Sequence, residues 1–230
     1  MDCNWVIFDG DNTLWAVEHL YDSGRDNLCQ YLAARGVSYD AASSFQQKRD
    51  KELYASYGYS ACRFARSFED TILNFDPMVT PQDIRHVRNL ALEVFARKAV
   101  VSEGLEALLK DLARIYRLGI ITAGERWVQE KRLSDFHLSS QFSAIEIVEE
   151  KRSSVFSVFC DHHGVNRQGS WVIGDSLNSD VIPARAAGLN AILYATRNWS
   201  PVEVDHAEIP RGVPVVQSLT ELREHLLFQT

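Results

Sequence analysis

Two hydrophobic patterns alternate along the second half of the chain. Short apolar runs, typical of buried strands, are separated by longer segments in which apolar residues recur at the spacing of one helix face. The predicted strands span residues 118–121, 142–148, 170–173, 191–194 and 213–216. The predicted helices span residues 104–116, 125–136, 152–163, 179–187 and 219–227. This alternation predicts an α/β fold, a doubly wound parallel sheet with helices on both faces.

Residues 16–98 show a different pattern, because helical spacing recurs there without any strand-like run between the segments. The predicted helices span residues 22–35, 40–57, 60–75 and 81–97. Asp40 and Thr80 are suitable helix starts, and Gly36 and Gly58 are suitable helix ends. A strand-type run, residues 5–8, precedes this block and the alternating pattern follows it. We therefore interpret residues 16–98 as an inserted all-helical subdomain, and residues 1–15 and 99–230 as the α/β core.

Composition and charge narrow the class of protein. The 230 residues are 46% hydrophobic and 24% charged, as in a soluble globular protein. A net charge of −7 argues against nucleic acid or an anionic membrane as the partner. No apolar run is as long as a membrane span, and the first residues do not resemble a secretory signal. The scattered cysteines favour reduced thiols, so we expect a cytoplasmic protein.

Two carboxylates directly follow the first strand-type run. Asp9 and Asp11 are two positions apart, so in extended backbone their side chains project to the same side. Gly10 between them allows a sharp turn or the close approach of a ligand. The pair suits a nucleophile beside an acid/base group, and it can hold a cation. Taken alone, an ordinary acidic turn explains the motif equally well.

Three further strand ends carry residues suited to a phosphate or a metal ion. Thr122 and the backbone amide of Ala123 stand at a helix start, where an anion binds well; a simple helix cap is the alternative. Lys151 follows another strand, although a single lysine is usually a surface charge. Asp175 and Asp180 lie in a loop that enters a helix and could add metal ligands. A helix-capping loop explains one of these aspartates but not both.

In order and spacing, these segments resemble the four motifs of the haloacid dehalogenase-like superfamily. The resemblance spans residues 5 to about 195, with D-x-D-x-T and G-D-x-x-x-x-D as its most specific parts. Ala123 stands where the family often has asparagine, and the prolines that many members have after the lysine are missing after Lys151. The resemblance implies a Rossmann-like core. It also implies that the helical insertion is a cap like that of phosphoglycolate-phosphatase-like members.

The resemblance also implies a different role for each of the motif aspartates. Asp9 would attack phosphorus and form an aspartyl-phosphate, and Asp11 would act as general acid and then as general base. Mg²⁺ would be bound by Asp9, the backbone carbonyl of Asp11 and Asp175, with Asp180 as a direct or indirect ligand. The implied cofactor is therefore Mg²⁺.

The phosphate oxygens would be bound by the remaining motif residues. The positions that bind phosphate oxygens in members of the superfamily are occupied in this chain by Thr122, by Ala123 with its backbone amide, and by Lys151. Within the cap, we expect Arg25 or Arg63 to read a second anionic group of the substrate, because a closing cap must present some side chains to the leaving group. A packing or surface role is the alternative for both arginines.

The function implied is a Mg²⁺-dependent phosphatase acting on a small phosphate monoester. Dehalogenases of the superfamily typically lack the second aspartate, so Asp11 favours phosphate-ester chemistry. A phosphomutase of the same fold and a non-catalytic, phosphate-binding regulatory scaffold remain alternatives, although a scaffold is expected to have lost Asp9, Asp11 or Asp175. We expect a small phosphorylated metabolite as partner, no nucleic acid polymer and no membrane, and a monomer or homodimer.

Overall fold

The computed structural model describes residues 3–195 and 209–228. Within these residues the contacts divide the chain into two compact units. The smaller unit is Glu18–Lys98. The larger unit consists of the described residues up to and including Val17 and those from Ala99 onward. The chain therefore leaves the larger unit once, after Val17, and returns to it at Ala99. Among the described helices, none is long and apolar enough to cross a membrane.

The larger unit is organised around a parallel sheet. The strands in chain order are β1 (Trp5–Phe8), β2 (Trp15–Ala16), β3 (Val100–Val101), β4 (Arg117–Ala123), β5 (Ala144–Val148), β6 (Trp171–Gly174), β7 (Asn190–Tyr194) and β8 (Val215–Val216). Six of them form one sheet in the order β5-β4-β1-β6-β7-β8, with every neighbouring pair parallel. The prediction of a doubly wound α/β fold is confirmed. The last strand, β8, lies at an edge of this sheet.

Helices connect these strands and make up the smaller unit. In chain order they are α1 (Glu18–Ala33), α2 (Tyr39–Tyr57), α3 (Ala61–Phe75), α4 (Pro81–Ala96), α5 (Leu105–Leu112), α6 (Arg126–Asp135), α7 (Ser153–His163), α8 (Ile182–Ala186) and α9 (Leu219–Phe228). The helix predicted over residues 179–187 is divided: a π-helical turn spans Leu177–Val181 and the α-helix begins at Ile182. Pro183 lacks an amide hydrogen, so it fits only in the first turn of a new helix.

Two further differences concern the segments where the larger unit is interrupted. Helix α1 begins at Glu18, whereas the sequence predicted a start at residue 22. Asp22 lies inside the helix, where its side chain accepts a hydrogen bond from Arg25. Strands β2 and β3 were not predicted. They pair antiparallel, with Trp15 opposite Val101. Two-residue strands leave no periodicity in a sequence, which is why pattern analysis missed this ribbon.

The core of the larger unit is apolar on both sides of the central strand. All four residues of β1 are buried, which explains why this strand reads as a continuous apolar run and not as an alternating one. Trp5 packs edge-on against Phe159 of α7, and Phe8 packs against Phe142 on the way into β5. These contacts pack the central strand β1 against α7 on one side and against the segment before β5 on the other.

The smaller unit is a four-helix arrangement with its own core. Helix α3 carries the most apolar face, and Phe64 and Phe68 lie on it, both buried. Tyr21 of α1 packs edge-on against Phe64 and against Phe95 of α4. Helix α4 starts with a capping box, in which the Thr80 side chain accepts from the amide of the third helical residue and that residue's carboxylate accepts in return.

Candidate active site

The carboxyl ends of three adjacent strands bring the predicted residues to one edge of the sheet. Strand β1 lies between β4 and β6, and in an open parallel sheet ligands bind beyond this edge, where the strand order reverses. Asp9 directly follows β1, and its amide donates to the carbonyl of Ile173 at 2.8 Å. Asp175 directly follows β6, and Thr122 is the penultimate residue of β4.

Three carboxylates form a cluster at this edge. One oxygen each of Asp9, Asp175 and Asp180 lies within 4.8 Å of the other two, a set that could hold a metal ion. Carboxylate oxygens are the ligands that Mg²⁺ prefers, so the donor set fits this cation. Asp180 lies in the π-helical turn, and its Oδ2 accepts a hydrogen bond from the Ser176 amide at 3.1 Å. At Gly174, a Cβ atom would lie 2.2 Å from the Asp180 Cγ, so only glycine allows this approach.

Lys151 lies among these carboxylates and not at the surface. Its ammonium group donates to Asp9 and, at 2.5 Å, to Asp180. The side chain is buried, so the surface-charge alternative for this lysine is wrong in the described structure. A buried ammonium is tolerable only when it is paired, and two carboxylates supply that pairing here.

The pKa shifts at this site reflect burial first and the crowding of like charges second. Burial raises the pKa of Asp9 to about 7; Lys151 opposes this shift, whereas the Asp180 and Asp11 carboxylates add to it. Burial also raises the pKa of Asp175, and the neighbouring Asp9 and Asp180 act in the same direction. For Lys151, burial by itself would lower the pKa, but the Asp180 and Asp9 carboxylates raise it. A divalent cation would relieve the repulsion that these shifts report.

Asp11 has different surroundings from the other aspartates. Its Oδ1 accepts from the indole nitrogen of Trp15 at 2.6 Å. Its Oδ2 accepts from Gln129 Nε2 at 3.2 Å and from the guanidinium of Arg132. Asp11 therefore lies outside the cluster that Lys151 holds, and hydrogen-bond donors surround its carboxyl group.

Thr122 and Ala123 are joined to Asp11 through one helix residue. The Thr122 hydroxyl donates to Gln129 Oε1 at 3.0 Å, and the Ala123 carbonyl accepts from Gln129 Nε2 at 3.2 Å. A Cβ atom on Gly10 would lie 2.8 Å from the Thr122 hydroxyl oxygen, so the loop after β1 passes directly over the end of β4. This close approach makes the two motifs adjacent.

Sequence reasoning missed Trp15, Gln129 and Arg132. The signal for the last two is present in the sequence of α6, where they occupy the buried side of the helix next to Val128. Polar residues at positions that face the protein interior need buried partners, and this requirement could have marked them. It could not have identified Asp11 as the partner.

The two arginines predicted to bind substrate have partners inside the helical unit. Arg25 donates to Gln46 Oε1 at 2.8 Å and pairs with Asp22 at 2.6 Å. Arg63 donates to Asp50 at 2.9 Å and to the Gly58 carbonyl at 3.0 Å. These contacts explain both side chains without a ligand, and their assignment to substrate recognition stays a prediction.

Comparison with known proteins agrees with this geometry. A family model described as haloacid dehalogenase-like hydrolase matches residues 6–194. The chain belongs to the haloacid dehalogenase-like hydrolases. The family inferred from the four motifs is thus confirmed, and so is the prediction of a hydrolase fold.

Named relatives of this haloacid dehalogenase-like chain are phosphatases. It is 28% identical to human N-acylneuraminate-9-phosphatase over 43% of this chain and 42% of that protein, so this match spans less than half of the relative. It is 25% identical to the glyceraldehyde 3-phosphate phosphatase of Pyrococcus abyssi over 82% of this chain and 80% of that protein. A magnesium-bound hydrolase from Bacillus subtilis shares the fold, with a TM-score of 0.72, 16% identity and coverage of 99% and 100% of the two chains.

Proposed function

We propose that this chain is a Mg²⁺-dependent phosphatase that hydrolyses a small phosphate monoester through a phosphorylated Asp9. The observation that carries the proposal is the cluster of Asp9, Asp175 and Asp180, in which the Lys151 ammonium pairs with Asp9 and Asp180; Asp11 lies two residues beyond Asp9. A nucleophilic carboxylate, a cation site and a second carboxyl group for proton transfer are the groups that this reaction requires.

The reaction proceeds in two displacements. An oxygen of Asp9 attacks phosphorus, the bond from phosphorus to the ester oxygen breaks, and Asp11 gives its proton to the departing alcohol. Water then attacks the phosphorus of the aspartyl-phosphate while Asp11 takes a proton from that water. The bond from phosphorus to the Asp9 oxygen breaks, and inorganic phosphate leaves with the enzyme restored.

The remaining residues bind the phosphoryl group and the cation. Asp9, the backbone carbonyl of Asp11 and Asp175 would hold Mg²⁺, with Asp180 beside them. When bound, the ion supplies positive charge to a site that otherwise collects several negative groups. The Thr122 hydroxyl, which donates to Gln129 in the described structure, would turn to donate to a phosphoryl oxygen, and the Ala123 amide would donate to another. Lys151 would stabilise the negative charge of the transition state.

The substrate class follows from the site and from the names of the relatives. Two of them are named for small phosphorylated metabolites, a triose phosphate and a sugar-acid phosphate. We therefore propose a small phosphate ester as substrate, and not a nucleic acid polymer.

The test is phosphate release by the purified chain from a panel of phosphorylated metabolites and from 4-nitrophenyl phosphate, each with Mg²⁺ and with a chelator. We expect release that requires Mg²⁺ and disappears in Asp9→Asn. Formation of an isomeric phosphate ester without inorganic phosphate would indicate a mutase. Full activity in Asp9→Asn or after chelation would refute the mechanism.

A further inference from the structure

Helix α6 holds the Asp11 carboxyl group through two side chains that no motif of the family includes. We propose that Gln129 and Arg132 are positioning residues: they keep Asp11 where it can exchange a proton with the leaving group, and Gln129 also couples it to Thr122. This inference rests on the phosphatase function proposed above. It adds two residues to the site and assigns a separate task to each.

Arg132 acts on Asp11 by holding its carboxyl group in one orientation. Its guanidinium forms an ion pair with Asp11 Oδ2, and the Arg132 side chain is only 7% exposed whereas that of Asp11 is 26% exposed. A guanidinium that faces the protein interior needs an anionic partner, because leaving it unpaired is costly. In this pair the arginine is the buried member, and the aspartate is the member that reaches solvent. The pair therefore fixes the carboxyl group from behind.

Gln129 uses both ends of its carboxamide. The amide nitrogen donates to Asp11 Oδ2 and to the Ala123 carbonyl, each at 3.2 Å, and the amide oxygen accepts from the Thr122 hydroxyl at 3.0 Å. The side chain is 2% exposed. A carboxamide has two donor hydrogens, and both are used here. One planar group thus sets the separation between the acid/base residue and the hydroxyl proposed to bind the phosphoryl group.

The geometry of the helix explains why these two residues act together. Gln129 and Arg132 are three positions apart on α6, so their side chains lie on the same face. Both reach the same oxygen of Asp11, while Trp15 donates to the other oxygen. Donors on both oxygens restrict the rotation of the carboxyl group. A catalytic group that is held in its working orientation before the substrate arrives costs less to orient in the transition state.

The two residues should differ in which step they affect. Protonation of the leaving oxygen matters most when the departing alcohol is a strong base, and it matters little for 4-nitrophenol, which leaves readily as the anion. Loss of Arg132 disturbs Asp11, so its effect should grow as the leaving group becomes more basic. Loss of Gln129 also removes the partner that orients the Thr122 hydroxyl, and the proposed ligand of that hydroxyl, the phosphoryl group, is common to all substrates. A Gln129 variant should therefore lose activity on every ester, and more on the basic ones.

The experiment measures kcat/KM with Mg²⁺ for a series of aryl phosphates from 4-nitrophenyl to 4-methylphenyl phosphate. The variants are Arg132→Met, Arg132→Lys and Gln129→Met. Lys131→Met is the matched control, because Lys131 is the neighbouring cation on α6 and pairs with Asp135. Circular dichroism and thermal unfolding show whether each variant is folded. If Arg132→Met does not fold, Arg132→Lys and Gln129→Met carry the test.

We expect Arg132→Met to lose about 10- to 100-fold on 4-methylphenyl phosphate, part of the 10²–10⁴-fold that general acid catalysis supplies. On 4-nitrophenyl phosphate the loss should be about threefold or less on the same reasoning. Arg132→Lys keeps the charge and should recover part of the loss. Gln129→Met should show a similar dependence on the leaving group together with a loss on every ester.

Losses of equal size across the series, or no loss in folded variants, would overturn the inference and leave the two residues with a structural role. Failure of the proposed function itself looks different. In that case the wild-type chain hydrolyses none of the esters, and no comparison among variants is needed to see it. A wild-type chain that is active while the variants lose activity uniformly refutes the positioning role alone.

Discussion

Replacing Asp175 by asparagine should stabilise the fold when no metal ion is bound and weaken the stabilisation that Mg²⁺ provides. Lys151 donates to Asp9 and to Asp180, whereas among the described residues no such cation contacts Asp175. Asp175 is therefore the carboxylate whose charge is least compensated in the metal-free protein. The same charge becomes favourable once Mg²⁺ is bound, so the sign of the effect should depend on the metal.

The size of the effect follows from the distances in the cluster. Ligand oxygens of the three aspartates lie within 4.8 Å of one another. Two unit charges at that separation repel by about 3.5 kcal/mol at an effective dielectric constant of 20. Asp175 faces two carboxylates, and the ammonium of Lys151 offsets roughly one of them. After protonation and water screening reduce the remainder, a net gain of about 1–3 kcal/mol is expected for Asp175→Asn in the metal-free state.

The gain should depend on pH. The pKa values of Asp175 and Asp9 are raised in the fold, that of Asp9 to about 7, so the metal-free fold retains protons that the unfolded chain releases. A raised carboxyl pKa leaves stability intact below the unfolded value and removes it as the pH rises through the folded value. The wild-type fold should therefore lose stability between about pH 4 and pH 7, and the advantage of Asp175→Asn should be larger at pH 8 than at pH 5.

The assay is thermal unfolding of wild type and Asp175→Asn with a chelator and with saturating Mg²⁺. For a chain of this size, 1 kcal/mol corresponds to a Tm change of about 2–4 °C, so the metal-free variant should melt roughly 3–10 °C higher. Mg²⁺ at a hundred times its Kd should add about 2.7 kcal/mol to the wild type and clearly less to the variant. Asp161→Asn, an exposed carboxylate paired with Arg167, is the control and should alter neither quantity much.

Two outcomes would refute this reasoning. If Asp175→Asn destabilises the metal-free protein, the Asp175 carboxylate of the wild type makes net favourable contacts, and repulsion within the cluster does not destabilise the fold. If the variant gains as much Tm from Mg²⁺ as the wild type, Asp175 does not belong to the cation site.

Three further predictions address turnover and specificity. Asp9→Asn should abolish phosphate release while leaving the circular dichroism spectrum close to wild type, because an amide cannot attack phosphorus; steady-state turnover near wild type would disprove the nucleophile assignment. Gly174→Ala should shift the Mg²⁺ titration of activity to higher concentration, since the new Cβ would lie 2.2 Å from the Asp180 Cγ; an unchanged titration would show that Asp180 is not needed there. Arg25→Ala and Arg63→Ala should raise KM for the natural substrate and not for 4-nitrophenyl phosphate, whereas equal changes on both would assign the arginines to packing.

The sequence by itself determined the architecture and the positions of the motif residues. The alternation of strand and helix patterns specified a parallel sheet, and parallel strands end at a common edge. Asp9, Thr122 and Asp175, which follow or finish three such strands, were therefore expected to lie near one another. Their residue types sufficed for the family resemblance. This part of the inference depends on residue types and on strand direction, and both can be inferred from residues that are adjacent in the sequence.

The tertiary structure decided which side chains meet across long stretches of chain. Lys151 was ambiguous in the sequence, and only its burial between Asp9 and Asp180 distinguishes it from a surface charge. Gln129 and Arg132 reach Asp11 from more than a hundred residues away. Helical periodicity tells which side of α6 faces inward, but it carries no information about what lies opposite. That depends on how the loop after β1 folds over the end of β4, which is a property of the packed molecule.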